Sequence, residues 1–281
     1  MNAKIILVNT PQKLARAVDD ITRADVLSID TEYDSFRYFK EKLCLIQIHA
    51  SKTTYIFDPL GDIDLSFFGK VFRDRKTLKI LHAADNDIRL LKRDYSFDFE
   101  NIFDTHRAAL ILGFKQLSLE KMIAQFVGVE LEKNKKMQRS RWDNRPLTEE
   151  QLIYAAQDVT YLPALYKAQL AKLKEAKLEE AALEAFSKIA SCNWQEKRID
   201  HRGHMKINGY YSLNQKQKEL LKKLYGWRFR RAKEENRAIF MFMPDKTMLD
   251  LVQDPQNVRE YLKPEKAEKY GPELEHIIKN D

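Results

Sequence analysis

Four acidic residues occupy positions from which their carboxylates could meet around metal ions. Asp30 ends the apolar run VLSID and Glu32 follows two residues later, so both side chains point to one side of an extended chain. Asp87 follows the apolar run KILH where a helical pattern starts, and Asp158 lies inside a longer helical pattern. Hard divalent cations prefer oxygen ligands, and two such ions roughly 3.5–4 Å apart can activate water and stabilise a departing phosphodiester oxygen. Each motif alone is common, but together they predict a metal-assisted hydrolytic site.

Two further side chains accompany these acids. Asp85 lies two residues before Asp87 at the same strand-to-helix junction, where either acid could cap the helix instead of binding metal. Tyr154 lies four residues before Asp158, which places both on one face of a helix. The candidate site therefore consists of four carboxylates and a phenol, with Asp85 as the rival of Asp87.

The first half of the chain alternates apolar runs with amphipathic segments and predicts an α/β fold. Residues 11–21 carry apolar side chains at helical spacing, and after residue 87 the pattern is mostly helical. The strands predicted second to fourth are joined by short connections, which favours an antiparallel meander. The predicted strands are KIILV (4–8), VLSID (26–30), LCLIQIH (43–49), TYIFD (54–58) and KILH (79–82).

The second half of the chain predicts helices and then a change of domain. Thr148 with Gln151 forms a capping box for a long helix, and Pro163 should kink or break that helix near Tyr161. A further helix ends near residue 190. The chain of 281 residues has room for a large domain, 1–190, a linker without periodicity, 191–212, and a small basic helical domain, 213–281.

The net charge of +7 indicates a polyanionic partner. Basic residues concentrate in two segments, 133–145 and 216–233, and aromatic residues such as Trp142 and Trp227 lie among them. Either segment could be an ordinary solvated face. The mixture of cations and aromatic rings nevertheless favours nucleic acid, because single strands bind through phosphate contacts and base stacking.

Membrane and zinc-binding classes of protein find little support. No window approaches the roughly 20 apolar residues that cross a bilayer. The N-terminal sequence MNAKIILVNTPQKL predicts a strand rather than a secretory signal, so we expect a cytoplasmic protein. Cys44 and Cys192 lie far apart and are expected to be buried or half-buried thiols.

The motifs around the four acids resemble those of a known nuclease family. DTE at 30–32, HAADND at 82–87 and RPLTEEQLIYAAQDVTYL at 145–162 resemble the three exonuclease motifs of the DEDD nucleases. The tyrosine four residues before the last acid marks the tyrosine-bearing branch, and the third motif resembles ribonuclease D in particular. The resemblance covers about residues 1–190 and implies a ribonuclease H-like mixed-sheet domain with 3′→5′ exonuclease activity.

This resemblance implies a role for each candidate residue. Asp30, Glu32 and Asp158 would hold one divalent ion, Mg²⁺ or Mn²⁺. Asp30 would bridge to a second ion that Asp87 reaches directly or through water. Tyr154 would orient the attacking water, since a phenol with an ordinary pKa near 10 is a poor general base at neutral pH. The 3′-terminal nucleoside 5′-monophosphate would then leave.

The family spacing also bears on the rival acid. It places the acid directly before the apolar residue Ile88, which favours Asp87 over Asp85. The family usually has a small or polar residue where Asp85 stands, so this acid adds negative charge near the site. Substrate contacts are expected from the first motif and from the basic loop just before the helix of Tyr154, at Thr31, Lys135, Lys136 and Arg139.

Residues 213–281 resemble the HRDC domain shared by RecQ-type helicases and ribonuclease D. That resemblance implies an auxiliary nucleic-acid-binding module, although a helical bundle that only packs on the nuclease domain is the alternative. Well-known ribonuclease D enzymes carry two such units, whereas this chain has room for one.

The expected substrate is RNA with a single-stranded 3′ end, such as a tRNA precursor. A DNA 3′→5′ exonuclease with the same carboxylates is one alternative. A non-catalytic RNA-binding module is the other, but such a relative should have lost at least one ligand, and all four are present here.

Overall fold

The computed structural model describes residues 4–131 and 135–279. The chain divides into two compact units. The first comprises the residues up to Asp34 together with Leu43–Gln195, and the second comprises Ser35–Lys42 together with the residues from Glu196 onward. The segment that joins two strands of the first unit is therefore part of the second.

A six-stranded mixed sheet, counted within the described residues, forms the centre of the first unit. The strands are β1 (Lys4–Val8), β2 (Val26–Asp34), β3 (Lys42–Ala50), β4 (Thr53–Phe57), β5 (Leu78–Leu81) and β6 (Ile102–Asp104). Their order in the sheet is β1-β4-β3-β2-β5-β6, with β3 and β4 antiparallel and β1–β4, β2–β5 and β5–β6 parallel. The five strands predicted from the sequence are present. The sequence did not predict β6, since three residues are too few to show alternation and the region was predicted to be mostly helical.

Helices pack against this sheet, and the capping box predicted for the third motif is confirmed. Thr148 and Gln151 form the reciprocal capping box at the start of α7. That helix ends at Thr160, and Pro163 lies in the first turn of the next helix. The helices of the first unit are α1 (Pro11–Thr22), α2 (Phe68–Arg73), α3 (Asp85–Tyr95), α4 (Thr105–Ile111), α5 (Leu119–Val127), α6 (Lys135–Gln138), α7 (Glu149–Thr160), α8 (Leu162–Glu175) and α9 (Glu179–Ala190).

The core of the first unit holds together the three segments that carry the candidate site. Ile29 of β2, Ile88 of α3 and Val159 of α7 are all buried in one apolar cluster. Each is the immediate neighbour in sequence of a candidate carboxylate. Burying side chains of this size stabilises the fold by about 1.5–3 kcal/mol each, so the positions of the carboxylates are tied to the core.

The second unit is helical and has its own core. Leu221, Leu224, Trp227 and Leu274 belong to one buried cluster, which also takes in Phe39 from the segment 35–42. Short 3-10 turns at Gly203–Lys206 and Tyr210–Ser212 precede the helices. These helices are α10 (Gln215–Glu234), α11 (Ile239–Phe242), α12 (Asp245–Gln253) and α13 (Pro264–Lys279). The mixed α/β fold with a helical C-terminal region is thus confirmed.

The tryptophans of the two basic segments are core residues. Trp142 is 2% exposed and Trp227 is 1% exposed. The sequence had suggested that these rings could stack on bases, but neither ring offers a face to a ligand. Both cysteines are free thiols, with Cys44 buried and Cys192 half-buried. No helix within the described ranges is long and apolar enough to cross a membrane.

Candidate active site

The candidate carboxylates come from three elements of the first unit. Asp30 and Glu32 lie on β2, Asp87 lies in the first turn of α3, and Asp158 lies in α7. Each residue is half-buried. The structure therefore brings the three sequence motifs to one region, where their charges influence one another.

Burial and mutual repulsion make ionisation of these acids costly. The pKa of Asp30 is raised well above its usual value by burial first, and then by the charges of Asp158 and Asp87. Burial and the other three acids raise the pKa of Glu32 in the same way. Burial raises the pKa of Asp158 to about 7, with a further contribution from Glu120. Burial likewise raises the pKa of Asp87 to about 6, although a hydrogen bond from Thr31 opposes the shift.

Across the part of the chain that the structure describes, no lysine or arginine forms an ion pair with any of these four acids. A group of like charges without a counter-charge is costly unless protons or cations neutralise it. The donor set consists of carboxylate oxygens, which suits Mg²⁺ or Mn²⁺. Within residues 4–131 and 135–279 the structure shows no group of three such side chains close enough to hold an ion.

A cavity of about 480 Å³ opens at this cluster. Asp30, Glu32, Asp158 and Tyr154 line it, whereas Asp87 does not. Asp87 instead accepts a hydrogen bond from the Thr31 hydroxyl at the edge of the group. Thr31 is predicted to contact nucleic acid, and in the structure its hydroxyl donates a hydrogen bond to Asp87.

Tyr154 faces the cavity with its phenol protonated. Burial raises its pKa above the usual value, and the charges of Asp158 and Glu32 raise it further. Gln138 hydrogen-bonds the phenol, and the ring packs 6.0 Å, centroid to centroid, from that of Trp142. A protonated phenol fixed in this way can orient a water molecule, but it is a poor base.

Asp85 is engaged elsewhere. Its carboxylate lies 3.5 Å from the Nη2 atom of Arg107, and it does not line the cavity. Asp87 is the acid whose charge acts on Asp30 and Glu32. The surroundings of the two acids therefore favour Asp87 as the candidate ligand.

Sequence reasoning missed several polar residues that line the cavity: His82, His106, Glu120 and Gln157. His82 opens the HAADND motif and Gln157 precedes Asp158, so their places in the motifs could have drawn attention to them. Burial, followed by the charge of His106, lowers the pKa of His82 to about 4, so its imidazole is neutral at physiological pH. Glu120 lies in an ordinary amphipathic helix and carries no local signal.

The basic loop 133–145 divides into two kinds of residue. Lys136 and Arg139 are exposed, as expected for phosphate contacts. Residues 132–134 and the side chain of Lys135 lie outside the described part of the molecule. Arg145 is structural, because its Nε and Nη2 atoms each donate to Asp58 at 2.6 Å and its Nη1 atom donates to the carbonyl of Trp142.

Comparisons with known proteins agree with this architecture. A family model described as 3′-5′ exonuclease matches residues 5–174, and an HRDC domain model matches residues 217–278. An exosome complex component 10 homolog from Drosophila melanogaster is 30% identical over 258 residues, which are 89% of this chain and 28% of that protein. A ribonuclease D from Desulfotalea psychrophila is 30% identical over 247 residues, which are 87% of this chain and 66% of that protein. The chain thus spans less than two thirds of the length of either relative.

Solved structures share the fold. The catalytic core of RRP6 from Trypanosoma brucei superposes with a TM-score of 0.91 at 22% identity, covering 99% of this chain and 81% of that one. Brucella melitensis NrnC with bound Mg²⁺ gives a TM-score of 0.58 at 20% identity, covering 76% of this chain and 98% of that one. At these identities the likeness concerns the fold alone.

Proposed function

Because this chain belongs to the 3′-5′ exonuclease family, we propose that it is a ribonuclease D-like exoribonuclease that removes nucleoside 5′-monophosphates from the 3′ ends of RNA. The observation that carries the proposal is the group of four carboxylates, without a cationic partner in the described residues. Asp30, Glu32 and Asp158 line one cavity, and Asp87 is hydrogen-bonded to Thr31 of the same lining. Such a group has an evident use where divalent cations bind and little use as a structural device.

We assign to each residue of the site the role that the family resemblance implies. Asp30, Glu32 and Asp158 would hold one divalent cation, and Asp30 with Asp87 would hold the other. When bound, two such cations would lower the pKa of a water molecule and would stabilise the charge on the departing oxygen. The phenol of Tyr154 orients the water for in-line attack on the last phosphodiester.

The second motif contributes positioning. Thr31 donates to Asp87, which fixes the carboxylate at the start of α3. The strand β2 and the helices α3 and α7 are locked by the apolar core, so the geometry does not rely on mobile loops. A site on rigid elements suits a reaction that depends on exact placement of water and phosphate.

The proposed substrate is RNA with a single-stranded 3′ end, with tRNA precursors as the leading candidates. Support comes from the ribonuclease D name of a relative, the net charge of +7 and the exposed Lys136 and Arg139 near α7. We assign the nuclease to residues 1–190, a linker to 191–212 and an HRDC-like nucleic-acid-binding domain to 213–281. A DNA substrate is the second candidate, because the same carboxylates would cleave either backbone.

The test is incubation of a 3′-tailed RNA, and of DNA with the same sequence, with Mg²⁺ or Mn²⁺ and resolution of the products by length. Stepwise loss of single nucleotides from the RNA is expected, with no loss in EDTA. Asp30→Asn should abolish the reaction without unfolding the protein, and Asp85→Asn is its matched control. Degradation by Asp30→Asn at the parent rate would disprove the assigned site, and preference for DNA would disprove the RNA assignment.

A further inference from the structure

The position of the candidate ligand Asp87 depends on a short turn that carries the chain from β5 into α3. The turn comprises His82, Ala83 and Ala84, and α3 begins at the next residue. The Ile88 amide donates to the Ala84 carbonyl at 3.0 Å, which starts the hydrogen bonding of the helix. Asp87 lies three residues after Ala84, so the position of its carboxylate follows the position of this turn.

The turn has a backbone conformation that alanine seldom adopts. Ala83 has a φ of +57°, in the left-handed region that favours glycine. Its side chain is exposed at the wall of the cavity, so packing in the core does not fix it. Within the described chain, α3 also starts without a capping side chain at its N-cap position, Ala84. A strained conformation of this kind persists where surrounding groups fix it, so groups outside the turn must do so.

Asp104, the last residue of β6, fixes the turn. It is fully buried, and its Oδ2 atom accepts a hydrogen bond from the Ala84 amide at 2.7 Å. Its Oδ1 atom accepts from the Arg107 amide at 2.6 Å and so caps the start of α4. One carboxylate thus joins the starts of two helices, and hydrogen bonds to a charged acceptor are stronger than those to a neutral one.

The residue after Asp104 fixes the other end of the turn. The Thr105 hydroxyl donates to the Leu81 carbonyl at 3.1 Å and lies 2.8 Å from the Nδ1 atom of His82. Gln169, which is fully buried, donates its side-chain amide to the Thr105 carbonyl at 2.9 Å. Because Asp104 bonds one end of the turn and Thr105 bonds the other, the turn is fixed from both sides.

We propose that Asp104 is a positioning residue for the metal-ligating carboxylate of Asp87, which it holds in place through the turn at Ala83. Asp104 does not bind the cation itself, since each of its oxygens accepts a backbone amide and it does not line the cavity. Removal of outer groups that orient metal ligands typically costs roughly 10–100-fold in metal affinity. The inference rests on the proposed function, because that function makes Asp87 a ligand.

The experiment measures the binding of Mn²⁺ to the metal-free protein by isothermal titration calorimetry, with no RNA present. Asp104→Ser keeps an oxygen that can cap α4 but has no second oxygen for the Ala84 amide. Asp104→Asn keeps the size of the side chain but turns an N–H donor toward one of the two amides. Each variant should bind Mn²⁺ about tenfold more weakly than the parent, at the lower end of the range for such outer groups.

Two control substitutions separate position from charge and from stability. The charge of Asp104 acts on Asp87, and Asp85→Asn removes an equal charge from the start of α3 while both Asp104 bonds remain. Asp58→Asn alters a carboxylate of the same unit that is also buried, hydrogen-bonds Arg145 and does not line the cavity. Both control variants should bind Mn²⁺ as the parent does.

Relief of the strained turn gives a second, independent measurement. Ala83→Gly should raise Tm by about 2–4 °C, because glycine adopts a positive φ without strain. Combined with Asp104→Ser, it should restore a large part of the lost Mn²⁺ affinity, since glycine keeps the left-handed conformation without an external hydrogen bond. If the loss came instead from a general loosening of the protein, glycine would restore Tm but not affinity.

The outcomes are distinct. Parent-like Mn²⁺ affinity in the Asp104 variants, or an equal loss in either control variant, would overturn the proposal. A Tm of Ala83→Gly no higher than that of the parent would also overturn it, and this result needs no Asp104 variant to fold. A parent that binds Mn²⁺ but degrades no RNA would disprove the proposed enzymatic function and leave the role of Asp104 standing. RNA degradation by the parent, with full Mn²⁺ affinity in the Asp104 variants, would do the reverse.

Discussion

The repulsion among the site carboxylates predicts that Asp158→Asn stabilises the metal-free protein while removing activity. The pKa of Asp158 is about 7, against an ordinary value of 3.8. At 1.36 kcal/mol per pKa unit, the difference corresponds to about 4 kcal/mol of unfavourable ionisation above pH 7. Because the residue is partly exposed and water screens it, we expect about 2 kcal/mol from the substitution, or roughly 4–8 °C in Tm.

The sign of the pH dependence follows from the raised pKa. Between about pH 4 and pH 7 the folded state keeps a proton on Asp158 that the unfolded state has lost. The free energy of unfolding of the parent therefore falls as pH rises through this window. Asp158→Asn lacks this contribution, so the advantage of the variant should be present at pH 8 and nearly absent at pH 4.

The assay is thermal unfolding in EDTA at pH 4 and pH 8, repeated at pH 8 with Mg²⁺. Mg²⁺ should stabilise the parent and have little effect on the variant, because the ion replaces the proton as the counter-charge. Asp85→Asn is the control, since Asp85 pairs with Arg107 and does not line the cavity. If Asp158→Asn were less stable than the parent at pH 8 in EDTA, the carboxylates would not be a strained group of like charges.

Three further predictions address the phenol, the basic loop and its anchor. Tyr154→Phe should lower kcat at least tenfold while the unfolding curve stays like that of the parent, because the ring still packs on its neighbours; an unchanged kcat would exclude a water-orienting role. Lys136→Gln with Arg139→Gln should flatten the salt dependence of RNA affinity by a slope of about 1.4, whereas an unchanged slope would leave these residues an ordinary solvated face. Arg145→Ala should lower the free energy of unfolding in urea by about 3 kcal/mol, because Asp58 is 5% exposed and would lose both charged hydrogen bonds from Arg145. A loss below about 1 kcal/mol would contradict this expectation.

The fold was predictable where local chemistry agrees with tertiary structure. The capping box at Thr148 and the break near Pro163 fix the ends of α7 whatever the rest of the chain does. The strand β6 could not be found in this way, since Ile102–Asp104 depends on pairing with β5 rather than on its own pattern. No local pattern shows that residues 35–42 belong to the second unit. Phe39 ties this segment to the second unit because its ring is buried in the core of that unit.

The location of the candidate site was predictable because each acid is next in sequence to an apolar residue whose pattern predicts that it is buried in the core. Ile29, Ile88 and Val159 are buried, and that burial places the adjacent acids. The roles of those acids remain predictions. The structure adds Glu120 and His106, which reach the cavity from segments with no recognisable motif. The two tryptophans were poor guides to RNA contacts. A segment that mixes cations with aromatic residues has the same sequence pattern whether its rings face water or the core.

The difference between the two aromatic groups shows where sequence patterns stop being informative about RNA contacts. Trp142 and Trp227 lie within basic runs but are buried, and Arg145 beside the first is tied to Asp58. Phe36 and Phe240 are more than two hundred residues apart, yet their exposed rings lie 4.9 Å apart between centroids. A platform for bases requires ring faces and unpaired cations at one surface, and neither property is local in sequence. Charge-rich segments alone are therefore a poor guide to where this chain would hold RNA.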